Sequence, residues 1–358
     1  MMVLEKRPAP SAVWSIAAPL LALLVAVVLG GVLFAALGHP PLKALYIYFV
    51  EPLTSFWSIE ELLVKATPLL LIGCGLALAY RANVWNIGAE GQLVMGAIAG
   101  SAIPILLPEW NDPLALVAML ALGMAGGAAY AAIPAMLKNR FNTNEILTSL
   151  MLVYVAGLFL DWLVRGPWRD PMGFNFPKSV AFEGWHLLPV ISGRVHLGLV
   201  LAGVAVILLW LVLSHTRAGF AVRVQGTSAQ AAQFAGFSAR RITLGVMLFS
   251  GALAGLAGIG EVAGVIGHLQ PSISPGYGFA AIIVAVLGRL SPAGVLLAAL
   301  LLALTYLGGE AAQLALGMPA KVAQAFQGLL LFLILAAEVL VHYRVRWHRA
   351  GRQRGSTA

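Results

Sequence analysis

Runs of about twenty apolar residues, each long enough for a helix to cross a bilayer, recur along this chain and leave little room for anything else. Ten candidates are found, at approximately 13–37, 62–80, 91–107, 113–137, 145–164, 196–214, 242–266, 278–290, 292–316 and 321–341, of which the eighth is short and the third is bounded by polar glycine-rich sequence. Only 10% of the 358 residues are charged and 60% are hydrophobic, against about 25% charged and 45–50% apolar in a soluble domain. So few charges cannot coat a soluble core, so the runs face lipid or one another. The expected fold class is an all-α polytopic membrane protein with about ten transmembrane helices.

The first run follows Lys6 and Arg7 and is longer than the 7–15-residue core of a secretory signal; an uncleaved signal-anchor is expected. The basic residues orient the rest. With the N-terminus inside, 15 of the 22 Lys and Arg fall on inner segments, among them Arg81, Lys138, Arg140, Arg217 and Arg289. The acids Glu51, Glu60, Glu61, Glu109, Asp112, Asp170 and Glu183 fall outside. That asymmetry satisfies the positive-inside rule and predicts both termini cytoplasmic. The chain then divides into a cytoplasmic tail (1–12), one transmembrane domain (13–341) and a basic cytoplasmic tail (342–358). The latter, "HYRVRWHRAGRQRG", reads as a topology anchor that also touches anionic lipid. Because the basic residues recur at the ends of apolar runs and form no single patch, nucleic-acid binding is excluded.

Two long connections remain. The external segment 165–195 is rich in Pro, Gly and Trp, which predicts an ordered cap or docking surface and not a helix. The inner loop 215–241 contains "TRAGFAVRVQGTSAQAAQFAGFSARR", where Gly226 and Gly236 are expected to break helix. Between them Thr227 or Ser228 can cap a short helix over 229–235. Phe234 and Phe237 offer knobs at its end, flanked by arginines. From periodicity alone the loop is either a solvated connector or a helix that seats in a soluble partner.

The chemistry available is limited. No Gly-Lys pair occurs in the chain, so no Walker A loop can supply energy. The single cysteine, Cys74, lies within an apolar run and excludes an intrachain disulfide. The seven histidines include no close metal-ligand pair such as H-E-x-x-H, so neither a metal site nor an intramembrane hydrolase is expected.

The densest polar feature is "RANVWNIGAEGQ", residues 81–92. Its glycines permit non-helical backbone, which membrane depth tolerates only where protein or water surrounds it. Asn83 and Asn86 can satisfy the loosened peptide groups. Glu90 falls in the first turn of the next helix, where a carboxylate is favoured, with Arg81 available as its partner. The stretch reads either as a rigid re-entry cap or as an inner pathway lined by Asn83, Trp85, Asn86 and Glu90. Glu261 and Glu310, within the seventh and ninth runs, either line a pathway or make interhelical hydrogen bonds. Gln313, Gln324 and Gln327 are spaced for an inward face. Tyr277 and Phe279 follow "SPG" at the expected outer mouth, as stacking platforms or as interfacial belt residues. Asn144 and Glu145 read as a helix cap. Amides, glycines and a few carboxylates suit a neutral polar solute better than an anion.

"NVWNIGAEGQLVMGA", "NEILTSLMLVY", "GTSAQAAQFAGFSARR…SGALAGLAG", "GYGFAAIIVAVLGRLSPAG" and "GGEAAQ" together resemble the membrane subunit of ABC importers of the nucleoside and simple-sugar class, akin to ribose and branched-chain amino-acid permeases. The resemblance runs in order from about residue 60 to 343, and NIGAEGQ and GGEAAQ resemble the nucleoside branch most. It implies a vitamin-importer-like permease fold of ten helices in two related halves, in a bacterial cytoplasmic (inner) membrane. It also implies a subunit that is no enzyme and holds no cofactor, ATP being bound by separate cytoplasmic ATPase subunits. The other implied partners are an extracytoplasmic binding protein and a second permease, a sister chain or another copy. On this likeness residues 226–241 form the segment that docks on the ATPase, with Arg223, Gly226, Ala231, Phe234, Gly236, Phe237, Arg240 and Arg241 as its contacts. The implied substrate is a nucleoside or purine-like compound, with a simple sugar as the alternative; an ion-coupled secondary transporter is the rival class.

Overall fold

A computed structural model describes residues 2–6 and 12–347. Arg7 and the tail arginines Arg349, Arg352 and Arg354 lie outside the described residues. The chain opens with β1 (Met2–Lys6), α1 (Ala12–Ala36), α2 (Pro41–Phe49) and α3 (Phe56–Arg81). Then come α4 (Ala89–Leu106), α5 (Pro113–Phe141), α6 (Glu145–Arg165), β2 (Val190–Ser192) and β3 (Val195–His196). Next are α7 (Gly198–His215), α8 (Arg217–Thr227), α9 (Ala229–Phe234) and α10 (Ala239–Glu261), which a π-helical turn extends over Val262–Ile266. The last elements are α11 (Tyr277–Leu287), α12 (Pro292–Leu316), α13 (Ala320–His342) and β4 (Tyr343–Trp347).

Every one of the ten predicted apolar runs coincides with a helix. Among the described residues, seven helices are long and apolar enough to cross a membrane: α3 to α7, α10 with its extension, and α12. At 11 residues α11 is too short to do so.

Contacts divide the chain into two compact units, residues 1–52 with 308–358, and residues 53–307. In the first, β1 pairs antiparallel with β4, Met2 opposite Trp347 and Lys6 opposite Tyr343, and α1 packs on α13. Its core is aromatic. The Phe326 ring meets Phe34 at 5.3 Å and Tyr48 at 4.8 Å, both edge-on, a geometry that aromatic quadrupoles favour.

In the second unit α10 packs against α3, α4 and α5, with Gly96 of α4 facing Gly255 of α10. Charge sorts its two ends. Arg81, Lys138, Arg140, Arg240 and Arg241 mark a basic end, while Glu60, Glu61, Glu109 and Asp112 mark the opposite, acidic end. Side-chain caps start the helices at both ends. Asp112 accepts the Leu114 and Ala115 N–H groups at the head of α5, and Asn144 accepts that of Ile146 at the head of α6. Glu145 pairs with Lys138 and so ties α6 to α5.

Beyond Arg165, which ends α6, residues 166–195 carry no α-helix. A 3-10 turn (Gly184–His186) and the β2–β3 hairpin lie over the extension of α10, held by N–H donation from Ser179 to Leu269 O (2.9 Å), Phe182 to Gly267 O (2.7 Å) and Leu188 to Ala263 O (2.9 Å). In the loop 215–241 the short helix forms where expected, as α9, with Ser228 Oγ accepting the Ala231 N–H at 3.2 Å. Gly236, at φ 82°, ends it. Gly226, however, does not break helix: α8 runs through it to Thr227. A Cβ at Gly226 would stand 2.0 Å from the Arg81 carbonyl oxygen, so glycine is needed here for close approach to the end of α3, not for a turn.

Candidate functional site

The polar stretch between α3 and α4 starts at the basic end but does not stay there. Asn86 Nδ2 donates to Ser250 Oγ at 3.0 Å, and Ser250 lies against Gly75 of α3. Ser250 is eleven residues into α10, counting from Ala239, which is about 16 Å at 1.5 Å per residue. After Arg81 the chain therefore turns back into the bundle in non-helical form, and α4 begins at depth.

What makes this tolerable is complete polar pairing, as buried groups require. Asn86 (0% exposed) and Gln92 (1%) exchange amide hydrogen bonds, Asn86 Nδ2 to Gln92 Oε1 at 2.8 Å and Gln92 Nε2 to Asn86 Oδ1 at 2.9 Å. Asn86 Oδ1 also accepts the Gly88 N–H at 3.0 Å, and its carbonyl accepts Tyr80 Oη–H at 2.9 Å. Ser149 Oγ of α6 accepts the Ile87 N–H at 3.2 Å. Asn83 takes the left-handed conformation (φ 56°) and accepts the Trp85 indole N–H at 3.1 Å. Trp85 stays half-exposed, its ring 4.8 Å from Tyr80.

Glu90 sits in the first turn of α4, as expected, but its partner is not Arg81. Arg81 Nη1 donates to the Leu290 carbonyl at 3.3 Å. Glu90 Oε2 accepts the Gly278 N–H at 2.6 Å, and Ser274 adds a side-chain hydrogen bond. Proximity in sequence suggested the arginine; the first turn of a helix 188 residues away supplies the Gly278 N–H instead. A Cβ at Gly278 would stand 2.3 Å from Glu90 N, so the two helix starts touch through backbone.

This contact also corrects the position of Tyr277 and Phe279. They were expected at the outer mouth. Residues 267–269 do bond to the segment over the acidic end. The chain then dives, with Ser274 Oγ accepting the Gly276 and Tyr277 N–H groups at 3.0 and 2.9 Å. The helix α11 starts inside, against Glu90, and runs to Leu287 near the basic end, where Leu290 meets Arg81. Tyr277 is buried with its ring 5.6 Å from Tyr306, while Phe279 is 42% exposed. The 18-residue α4 and the 11-residue α11 thus place their N-termini together at depth, one carboxylate between them.

The other expected residues are elsewhere. Glu261 ends α10 near the acidic end, buried, with Lys65 and Glu61 as charged neighbours. There Arg194 pairs with Glu61 at 3.1 Å and Ser192 donates to Glu60 at 2.6 Å, fixing the hairpin to α3. His196 beside them is buried, and burial pushes its imidazole down to about 4. Glu310 and Gln313 belong to the first unit, where Gln313 Nε2 donates to Gly309 O one turn back at 3.2 Å. Ser250, Ser149, Ser274 and Gly278 were missed. A serine inside "LFSGALAG" was the available signal for Ser250.

At the basic end Phe234 is 94% exposed, Phe237 packs edge-on against Phe220 at 6.0 Å, and Arg223 is tied to the Leu213 carbonyl. Among the described residues no group of His, Cys, Asp and Glu is placed to hold a metal.

A family model for the branched-chain amino acid transport system / permease component matches residues 58–335. The chain is 39% identical over 343 residues to the glucose ABC transporter permease protein TsgB13 of Haloferax volcanii, covering 91% of this chain and 89% of that one. It is 29% identical to the guanosine ABC transporter permease protein NupP of Bacillus subtilis, over 85% and 88% of the two chains. With the ribose import permease protein RbsC of Escherichia coli it shares 32% identity, over 67% and 72%.

Proposed function

The chain belongs to the branched-chain amino acid transport system permease family, the multi-pass membrane subunits of ABC importers, and we propose that it carries a neutral, hydroxyl-rich solute past the paired N-termini of α4 and α11. Helix N-termini attract anions through their free N–H groups and dipole, and broken transporter helices use that attraction at mid-membrane. Here Glu90 already occupies the anion's place. That single observation favours a solute without charge over an anionic one. Asn83, Trp85, Asn86 and Glu90, with Tyr277 and Phe279, are its contacts; Glu261 is the proposed outer lining. A nucleoside is the solute this reading favours, as for the guanosine relative. A simple sugar is the second reading, favoured by the 39% identity to a glucose permease.

The family works with ATPase and binding-protein partners. In the proposed arrangement the basic end is cytoplasmic, as positive-inside topology requires. The pairing of β1 with β4, which joins the two ends of the described chain, supports termini on one side of the membrane. The ATPase takes α9 through Phe234 and Ala231, with Arg223, Gly226, Gly236, Phe237, Arg240 and Arg241 around it. A second permease, a sister chain, completes the pathway.

The test replaces Glu90 with Gln in the reconstituted importer. Gln keeps an acceptor for Gly278 but loses the charge, and a hydrogen bond to a charged group is worth about 1 kcal/mol more than a neutral one. Uptake is expected to fall about fivefold at unchanged subunit assembly. Full uptake in this variant leaves the stretch a structural cap only.

A further inference from the structure

We propose that the groove between the end of α5 and the start of α10 is a binding site for one anionic phospholipid. Met136, Asn139, Arg140, Arg240, Arg241 and Leu244 line a cavity of about 530 Å³. Its polarity is ordered along the bilayer normal. The three arginines form the rim at the basic end, while Met136 and Leu244 sit about one helical turn deeper on the same faces of α5 and α10. Asn139 Nδ2 donates to the Arg240 carbonyl at 2.9 Å, which fastens the two helix ends beneath the rim.

The rim is short of anions. None of the ion pairs Lys138–Glu145, Arg165–Asp161 and Arg194–Glu61 uses an arginine of this groove. Guanidinium groups match phosphate oxygens in a bidentate fork, and basic pockets between helices at a membrane face take phospholipid headgroups. The apolar floor selects the occupant. An acidic segment of a soluble protein would satisfy the rim and leave Met136 and Leu244 bare, whereas a phospholipid carries phosphate and acyl chain in the order the groove presents. Arg241 also borders a second cavity of about 380 Å³, otherwise apolar and lined by Leu78, Val212, Val222 and Phe249 among others, which gives a second acyl chain a place beside the first.

The test is native mass spectrometry of the full chain, purified without ATPase subunits, after incubation with equal amounts of phosphatidylglycerol and phosphatidylcholine. It works whichever end of the chain faces the cytoplasm and whether or not the solute pathway is read correctly. The wild type is expected to retain one phosphatidylglycerol in preference. At the usual contribution of an interfacial basic residue, Arg140→Gln with Arg240→Gln lowers that retention about thirtyfold; Arg140→Lys with Arg240→Lys keeps most of it. Equal retention of the two lipids by the wild type overturns the proposal without any variant. Undiminished phosphatidylglycerol in a folded double Gln variant that no longer binds the ATPase overturns it too, and assigns the rim to the protein partner.

Discussion

Replacing Asn86 with Ala tests whether the turn-back between α3 and α4 is held rigid by its amides. Asn86 makes four side-chain hydrogen bonds, two with Gln92 and one each with Ser250 and Gly88. Its loss leaves both ends of the buried Gln92 amide and the Gly88 N–H without those partners. Interhelical hydrogen bonds within a bilayer average about 0.6 kcal/mol each, whereas an orphaned buried group costs about 1–3 kcal/mol in aqueous proteins. Four lost bonds with partial relaxation therefore cost between about 2 and 5 kcal/mol. The chain carries its own reporter: Cys74 is the single cysteine and is 0% exposed, and its neighbour Gly75 packs on Ser250. Thermal melts followed by a thiol-reactive fluorogenic dye are expected to show earlier labelling in Asn86→Ala. Asn86→Leu combined with Gln92→Leu should cost less than the sum of the single changes, by about 0.5–3 kcal/mol for groups in one network. Wild-type labelling in Asn86→Ala, or strict additivity in the pair, would show that the amides do not hold the turn.

Gly226→Ala drives a methyl group against the Arg81 carbonyl and costs about 1–3 kcal/mol of local packing; α8 is expected to move off α3, lowering uptake per ATP hydrolysed, and an unchanged ratio refutes the contact. His196 gives a pH signature. Its folded value, about 4, lies below the ordinary 6.5, and its Nδ1 accepts the Gly198 N–H at 3.1 Å, a bond that protonation at that nitrogen removes. The unfolded form takes up a proton first, so the hairpin's stability is full above about pH 6.5 and lost progressively as pH falls toward 4. Hydrogen exchange across residues 190–198 should accelerate over that window, and in His196→Asn it should not.

The positions of the helices were legible because lipid imposes a simple demand, about twenty apolar residues in a row. Depth was not legible. Nothing in "SPGYGF" distinguishes a helix starting at a surface from one starting inside, since the difference is made by Glu90 reaching Gly278 across 188 residues. The same limit explains Arg81, assigned to the nearest carboxylate when its partner is the Leu290 carbonyl. Gly226 was read as a breaker because glycine has two uses, and only the neighbouring Arg81 carbonyl reveals which applies. By contrast α9 needed only Ser228 and Gly236, signals that act within one turn, and its bounds followed. The amide pair of Asn86 and Gln92 stood in plain view in the sequence, yet its third member, Ser250, had no local mark beyond being polar among alanines and glycines.

The aromatic core that joins Phe34 and Tyr48 to Phe326 has a consequence for biosynthesis. A ribosome makes Phe34 and Tyr48 long before Phe326, which must cover them. Until α13 is inserted, the faces of Phe34 and Tyr48 that Phe326 covers meet lipid, an insertase or a chaperone instead. A chain that stalls before Ala320 therefore exposes an unfinished seam at its beginning, and quality-control proteases should attack it there first.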